Sequence, residues 1–260
     1  MRKTFQKNWR LYFCEALGLA IFMISACFFG AMLEGKTVWH EAIPDSFLRM
    51  VITGVLMGAT ALFIFYSPFT SPSGAQINPA VTITFLRLNR ISKWDAFFYV
   101  LFQITGGTLA VYIMAYFLKE PLTSLPVNYA ATIPLAGVNK AFLTEFVIAF
   151  LMMTMILFTS AHKVLKKYTR LIAGLFVCLY VIFAGPISGF GMNPARSFAS
   201  ALPAHTWTAF WIYLFVPIAG MLLSAEFFLW VEKRRILRRN QKALRLYLEK
   251  YTSTRHIINN

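Results

Sequence analysis

Acidic side chains are scarce here: Asp and Glu number ten in 260 residues, against 25 Lys and Arg. Cysteine is scarcer, and its three copies (Cys14, Cys27 and Cys178) are odd in number and all fall inside apolar segments. That count argues against a disulfide framework and predicts buried free thiols. His162 and His205 are lone loop histidines, read as inert rather than as pH sensors. No metal, cofactor or catalytic group is expected. What the chain lacks above all is polar surface. Hydrophobic side chains make up 58% of it, 26 residues are Phe, and the mean hydropathy is +0.61. A soluble globular domain is excluded, and an all-α integral membrane protein is the expectation. The excess of base could point to nucleic acid, but the basic residues lie between apolar spans, where lipid headgroups would be, so no nucleic-acid partner is expected.

The spans can be read in order. After a basic stretch at residues 1–10, Leu11–Leu33 is apolar over about the 20 residues that a bilayer core requires. It is too long for a signal-peptide core and no small-residue cleavage site stands out, so an uncleaved first span is expected. Phe47–Tyr66, Ala96–Leu118, Ala141–Ala161, Leu171–Phe183 and Trp207–Val231 supply five more. Glu34–Asp45 is read as a polar loop, and Lys119–Asn139, with Pro121, Pro126 and Pro134, as the midpoint connector. This divides the chain into a membrane-spanning body at 11–232 (repeats of about 11–118 and 140–232 around a 119–139 connector), with a basic tail at 233–260.

Two short apolar runs do not fit as spans. Asn78-Pro79-Ala80 opens one that ends near Leu88, and Asn193-Pro194-Ala195, 115 residues later, opens one that ends near Leu202. Each follows a Ser-Gly pair, Ser73-Gly74 and Ser188-Gly189. Asn caps a helix and Pro suits its first position, so each triplet starts a half-helix at membrane depth. Such a start aims unpaired NH groups and a positive dipole end at the middle of the bilayer, and is tolerated only where protein or a water-filled cavity surrounds it.

The duplication extends further. Glu15 and Glu145 sit alike in the first span of each half, and Gln103-Ile-Thr-Gly106 matches Pro217-Ile-Ala-Gly220 at an offset of 114. An odd number of spans per half inverts the second copy, giving an inverted repeat with its site at the midplane. Gly106, Gly107 and Gly220 are read as close helix crossings, and the two glutamates as acceptors for the NH groups of the re-entrant loops rather than as proton-relay groups. By loop, 20 of the 25 basic residues fall on the side of both termini and four (Lys36, Arg49, Lys119, Lys140) on the other, so both termini are expected to be cytoplasmic. Arg196 belongs to neither side and is expected to mark a pathway. The tail, Glu232–His256, mixes nine basic residues with Ile236, Leu237, Leu244, Tyr247, Leu248 and Tyr251. An amphipathic helix on an anionic leaflet, a solvated tail and a partner-binding segment all remain open for it.

The stretches Ser73-Gly-Ala-Gln-Ile-Asn78-Pro-Ala-Val-Thr82 and Ser188-Gly-Phe-Gly-Met-Asn193-Pro-Ala-Arg-Ser-Phe198 resemble the aquaporin or major intrinsic protein family, over about residues 9–232. The resemblance implies six transmembrane helices plus two re-entrant half-helices, and a homotetramer with one pore per subunit in a plasma or inner membrane. It also implies a passive channel for water and small uncharged solutes such as glycerol, closed to protons and ions. Asn78 and Asn193 would meet head to head in the pore. A selectivity constriction would be built from Met57 or Gly58, Val181, Phe190 and Arg196. Gln76 stands where the family usually has His, and little change is expected because its partner there is loop backbone.

The solute signals conflict. Val181 and Phe190 resemble solute-conducting members, whereas Ser197 and Ala201 resemble water channels. A mixed channel and a water-selective one therefore both stand. A secondary transporter, which also uses inverted repeats and broken helices, and a junctional protein with a vestigial pore are the rivals from other classes.

Overall fold

In the computed structural model the backbone is described over residues 1–258 and the side chains over residues 1–244. Every regular element among the described residues is helical. Six elements span the bundle: α1 (Arg2–Glu34), α3 (Ser46–Tyr66), α5 (Lys93–Leu118), α7 (Val138–Ala161), α8 (Thr169–Phe183) and α11 (Phe210–Ile258). Five of these are by themselves long and apolar enough to cross a membrane. The exception, α8, has 15 residues and is continued across Ala184 by the short α9 (Gly185–Ser188). The other minor helices are α2 (Val38–Ala42) and α6 (Glu120–Thr123).

The two remaining helices are α4 (Pro79–Arg87) and α10 (Pro194–Ala204), nine and 11 residues long. At 1.5 Å per residue they total about 30 Å, one hydrocarbon thickness between them. Each begins as its sequence requires. The Asn78 Oδ1 accepts from the Ala80 N–H at 2.9 Å, and the Asn193 Oδ1 accepts from Ala195 and Arg196 at 3.1 and 3.2 Å. Proline follows each cap, where no NH is missed.

The inverted repeat is visible in the packing. The main pairs are α1 with α5, α7 with α11, and α3 with α8. The first two are copies of each other, and the third joins the two halves. A Cβ on Gly106 would overlap the Ala16 carbonyl, and one on Gly220 would come within 2.8 Å of the Phe146 oxygen. Both crossings therefore need glycine, and each sits one residue from a buried glutamate, Glu15 or Glu145.

Three expectations change. Glu34–Asp45 carries α2, and its fold is held by Arg49, which donates to both Glu34 carboxylate oxygens at 3.1 Å and to the Ile43 and Pro44 carbonyls. Arg49, counted above with the charges of the side opposite the termini, is thus a buried anchor. The connector at 119–139 contains α6 and a helical turn at Asn128–Ala130, the latter tied to the loop after α10 by Asn128 Nδ2 donating to Thr206 Oγ1. Of the cysteines, only Cys27 is fully buried; Cys14 and Cys178 are half-buried. The tail continues the last span as one helix, and the side chains of Tyr247, Leu248 and Tyr251 lie outside the described residues.

Candidate functional site

The site is built where the N-termini of α4 and α10 meet. The Asn78 amide donates to the Met192 carbonyl at 2.9 Å, and the Asn193 amide donates to the Ile77 carbonyl at 2.7 Å. Each half-helix is thereby tied to the loop that leads into the other. The Oδ1 of each amide is occupied by its own helix, so the orientation is fixed: nitrogen outward, oxygen inward. An amide NH2 has two donors. One is used across the junction, and the other is left for the lumen.

The loops before each Asn are strained in matching places. Ala75 and Ile77 have φ of 47° and 43°, and Phe190 and Met192 have φ of 50° and 48°. Left-handed backbone costs a non-glycine residue about 1–3 kcal/mol, most for a β-branched one such as Ile77. It persists because two buried glutamates pin the loops. Glu15 accepts from Ser73 Oγ at 2.6 Å, Gln76 N at 2.9 Å, Ile77 N at 2.6 Å and Gln103 Nε2 at 2.7 Å. Glu145 accepts from Ser188 Oγ at 2.6 Å, Gly191 N at 2.8 Å and Met192 N at 2.5 Å. The Tyr99 and Tyr213 hydroxyls add a second clamp, donating to the Ser73 and Ser188 carbonyls at 3.0 and 2.7 Å.

One cavity runs through this junction and a second adjoins it. One, of about 160 Å³, is lined by Asn78, Asn193 and both re-entrant loops and widens toward Phe65, Phe85 and Arg170. The other, of about 190 Å³, opens past Thr53, Met57, Val181 and the Ala130–Ala131 backbone of the connector. Phe22, Phe190 and Arg196 line both. These three mark where the two cavities adjoin, and with Met57 and Val181 they form the neck. Arg196 is 9% exposed, its Nη1 has no hydrogen-bond partner, and no carboxylate pairs with it among the described residues. A buried guanidinium with a free N–H beside apolar walls can donate to a passing oxygen and repel a passing cation.

Met57, Val181, Phe190 and Arg196 are thus gathered around one cavity. Gly58 is not among them. It faces α8, where an added Cβ would lie 2.8 Å from the Cys178 Cβ and 3.1 Å from the Gly174 carbonyl, so of the two alternatives only Met57 reaches the lumen. Gln76 also differs from expectation. Its side chain makes no hydrogen bond to loop backbone, and its buried Oε1 has no partner. Ser197 and Ala201, the water-channel signals, are buried within α10 and line neither cavity. Sequence reading missed Phe22, one phenylalanine among 26. It also missed Tyr99 and Tyr213, although their offset of 114 is that of Gly106 and Gly220.

Comparison with known proteins agrees with this architecture. The family model for the major intrinsic protein matches residues 2–228. A probable NIP-type aquaporin of Nicotiana alata is 31% identical over 212 residues, covering 81% of this chain and 73% of its own. Aquaporin NIP1-2 of Arabidopsis thaliana is 32% identical over 215 residues, covering 81% and 70%. Among solved structures, the aquaglyceroporin of Plasmodium falciparum superposes with a TM-score of 0.69 over 85% of this chain and 95% of its own, at 18% identity, which is a likeness of fold.

Proposed function

The chain belongs to the major intrinsic protein family, and from that premise we propose that it is a passive transmembrane channel for water and small neutral solutes, closed to protons and ions. The observation that carries the reading is the reciprocal pair of bonds from Asn78 to Met192 and from Asn193 to Ile77, which leaves one amide N–H of each Asn for the lumen. A water between the two amides accepts from both and must turn its own hydrogens outward. The hydrogen-bonded file therefore reverses direction at the junction, and a proton cannot hop through it. The facing positive ends of α4 and α10 make the same place costly for any cation. No residue makes or breaks a covalent bond in this scheme.

Selection is assigned to the neck. Arg196 offers N–H donors from one side, while Phe22, Met57, Val181 and Phe190 present carbon from the other. Such a passage suits a solute with hydroxyls on one face and carbon on the opposite one. Val181 and Phe190 touch the lumen and Ser197 and Ala201 do not, which favours the mixed channel over the water-selective one. We place both termini in the cytoplasm, in a plasma or inner membrane, on the distribution of basic residues. We assign a homotetramer on the resemblance to the family, with one pore per subunit because a single chain supplies both Asn amides and the neck.

Stopped-flow light scattering on proteoliposomes tests the solute reading. After shrinkage in an impermeant osmolyte, water permeability should exceed that of empty vesicles, and re-swelling in glycerol or urea should do so too. Re-swelling at the empty-vesicle rate in both would leave the water-selective alternative. Flux that saturates with solute would instead favour a carrier.

A further inference from the structure

A shallow groove of about 460 Å³ lies on the outside of the bundle, away from the lumen, between α4 and the first half of α5. Ile83 and Leu86 form one wall and Phe97, Leu101 and Ile104 the other, with Lys93 at one end. Phe97 and Leu101 are 49% and 45% exposed. From Lys93 to Ile104 the groove follows 11 residues of helix, about 16 Å at 1.5 Å per residue, or half of a hydrocarbon core about 30 Å thick. It therefore runs from one interface to about mid-bilayer, the reach of one acyl chain in one leaflet.

The end at the interface is basic. The Lys93 ammonium lies 5.8 Å from the ring centre of the exposed Trp94. It has no carboxylate partner among the described residues. The nearest acid in sequence, Asp95, is already engaged by Asn8, Tyr12 and Ser92. An apolar slot one leaflet deep, headed by an uncompensated cation and an interfacial Trp, has the charge and shape of one ligand class. We propose that this groove is a binding site for an anionic phospholipid, with one acyl chain between α4 and α5 and its phosphate on Lys93. The lipid presses on the outer face of α4, whose Val81 and Phe85 line the lumen. It thereby holds the half-helix against the bundle.

The inference rests on the membrane reading and not on the choice of solute. Its test is native mass spectrometry of the full chain in a neutral detergent, with phosphatidylglycerol and phosphatidylcholine of equal chain length offered together. The wild type should retain phosphatidylglycerol preferentially, by on the order of fivefold for the one basic side chain engaged. Lys93→Gln should lose most of that preference. Leu101→Trp, which fills the groove, should abolish the preference and also the rise in thermal midpoint that phosphatidylglycerol gives the wild type. Equal retention of the two lipids by the wild type would overturn the proposal. A preference that survives both substitutions would move the anionic-lipid site elsewhere, and a change of oligomeric mass in Leu101→Trp would make the groove a contact between copies. Water permeability in phosphatidylcholine vesicles is read separately, so failure of the lipid site leaves the channel reading standing.

Discussion

Replacing Glu145 by Gln should destabilise the protein more than replacing Glu15 by Gln, although the two residues occupy matching places in the repeat. Each substitution puts an amide NH2 where a carboxylate oxygen accepted from backbone, so each strands one N–H, Met192 in one loop and Ile77 in the other. The neighbours differ. Gln103 donates to Glu15 at 2.7 Å, and its own Oε1 is buried without a partner. Turning the Gln103 amide over would present that oxygen to the new NH2 at position 15. At position 145 the matching neighbour is Pro217, whose side chain has no acceptor, so no neighbouring amide can turn over to meet the new hydrogens, and the only unpartnered side-chain group beside it among the described residues is the single Ser197 hydroxyl. An unpaired buried polar group costs about 1–3 kcal/mol. At roughly 2–4 °C per kcal/mol for a chain of this size, the thermal midpoint of Glu145→Gln should fall below that of Glu15→Gln by about 2–12 °C. Thermal unfolding followed by intrinsic fluorescence in one detergent measures the difference. Equal midpoints, or a lower one for Glu15→Gln, would refute the rescue by Gln103. The double variant Glu15→Gln with Gln103→Leu should restore the symmetry, bringing the loss close to that of Glu145→Gln.

Other substitutions test other parts. Val181→His adds a polar ring to the neck beside Phe190 and Arg196, and should suppress glycerol flux more than water flux in proteoliposomes; equal losses would remove Val181 from the neck. Asn193→Asp replaces the donor that holds the Ile77 carbonyl by a second acceptor, losing a bond of about 1 kcal/mol and placing negative charge between the half-helices. A cation conductance absent from the wild type should then appear in planar-bilayer recording. Gly106→Leu forces a side chain into the Ala16 backbone, so folded protein recovered by size-exclusion chromatography should fall sharply, whereas Gly30→Leu, whose added Cβ meets only a Val127 methyl at 3.4 Å, should be tolerated better.

Much of this arrangement could be read from residue types. The Asn-Pro-Ala triplets carry their own caps, the apolar runs have bilayer length, and the glycines at 106 and 220 mark crossings because nothing larger fits. Glu15 and Glu145 were legible because a carboxylate inside an apolar span must find donors, and re-entrant loops are where free NH groups are found. What stayed hidden depends on rotation about a helix axis. Met57 and Gly58 are adjacent, and only the packing of α3 on α8 decides that glycine takes the crossing and methionine the lumen. Phe22 is indistinguishable in sequence from neighbouring aromatics on the outside of the bundle, such as Phe28. For Gln76, the sequence could not show that its buried Oε1 would have no partner.

The most direct test of the central claim, that uncharged molecules pass a junction which turns protons back, measures both fluxes on the same proteoliposomes. Osmotic shrinkage gives the water flux, and an entrapped pH-sensitive dye under an imposed pH gradient gives the proton flux. The account predicts water permeability well above that of empty vesicles with proton flux indistinguishable from theirs. Proton flux that rises with the amount of reconstituted protein alongside the water flux would contradict it.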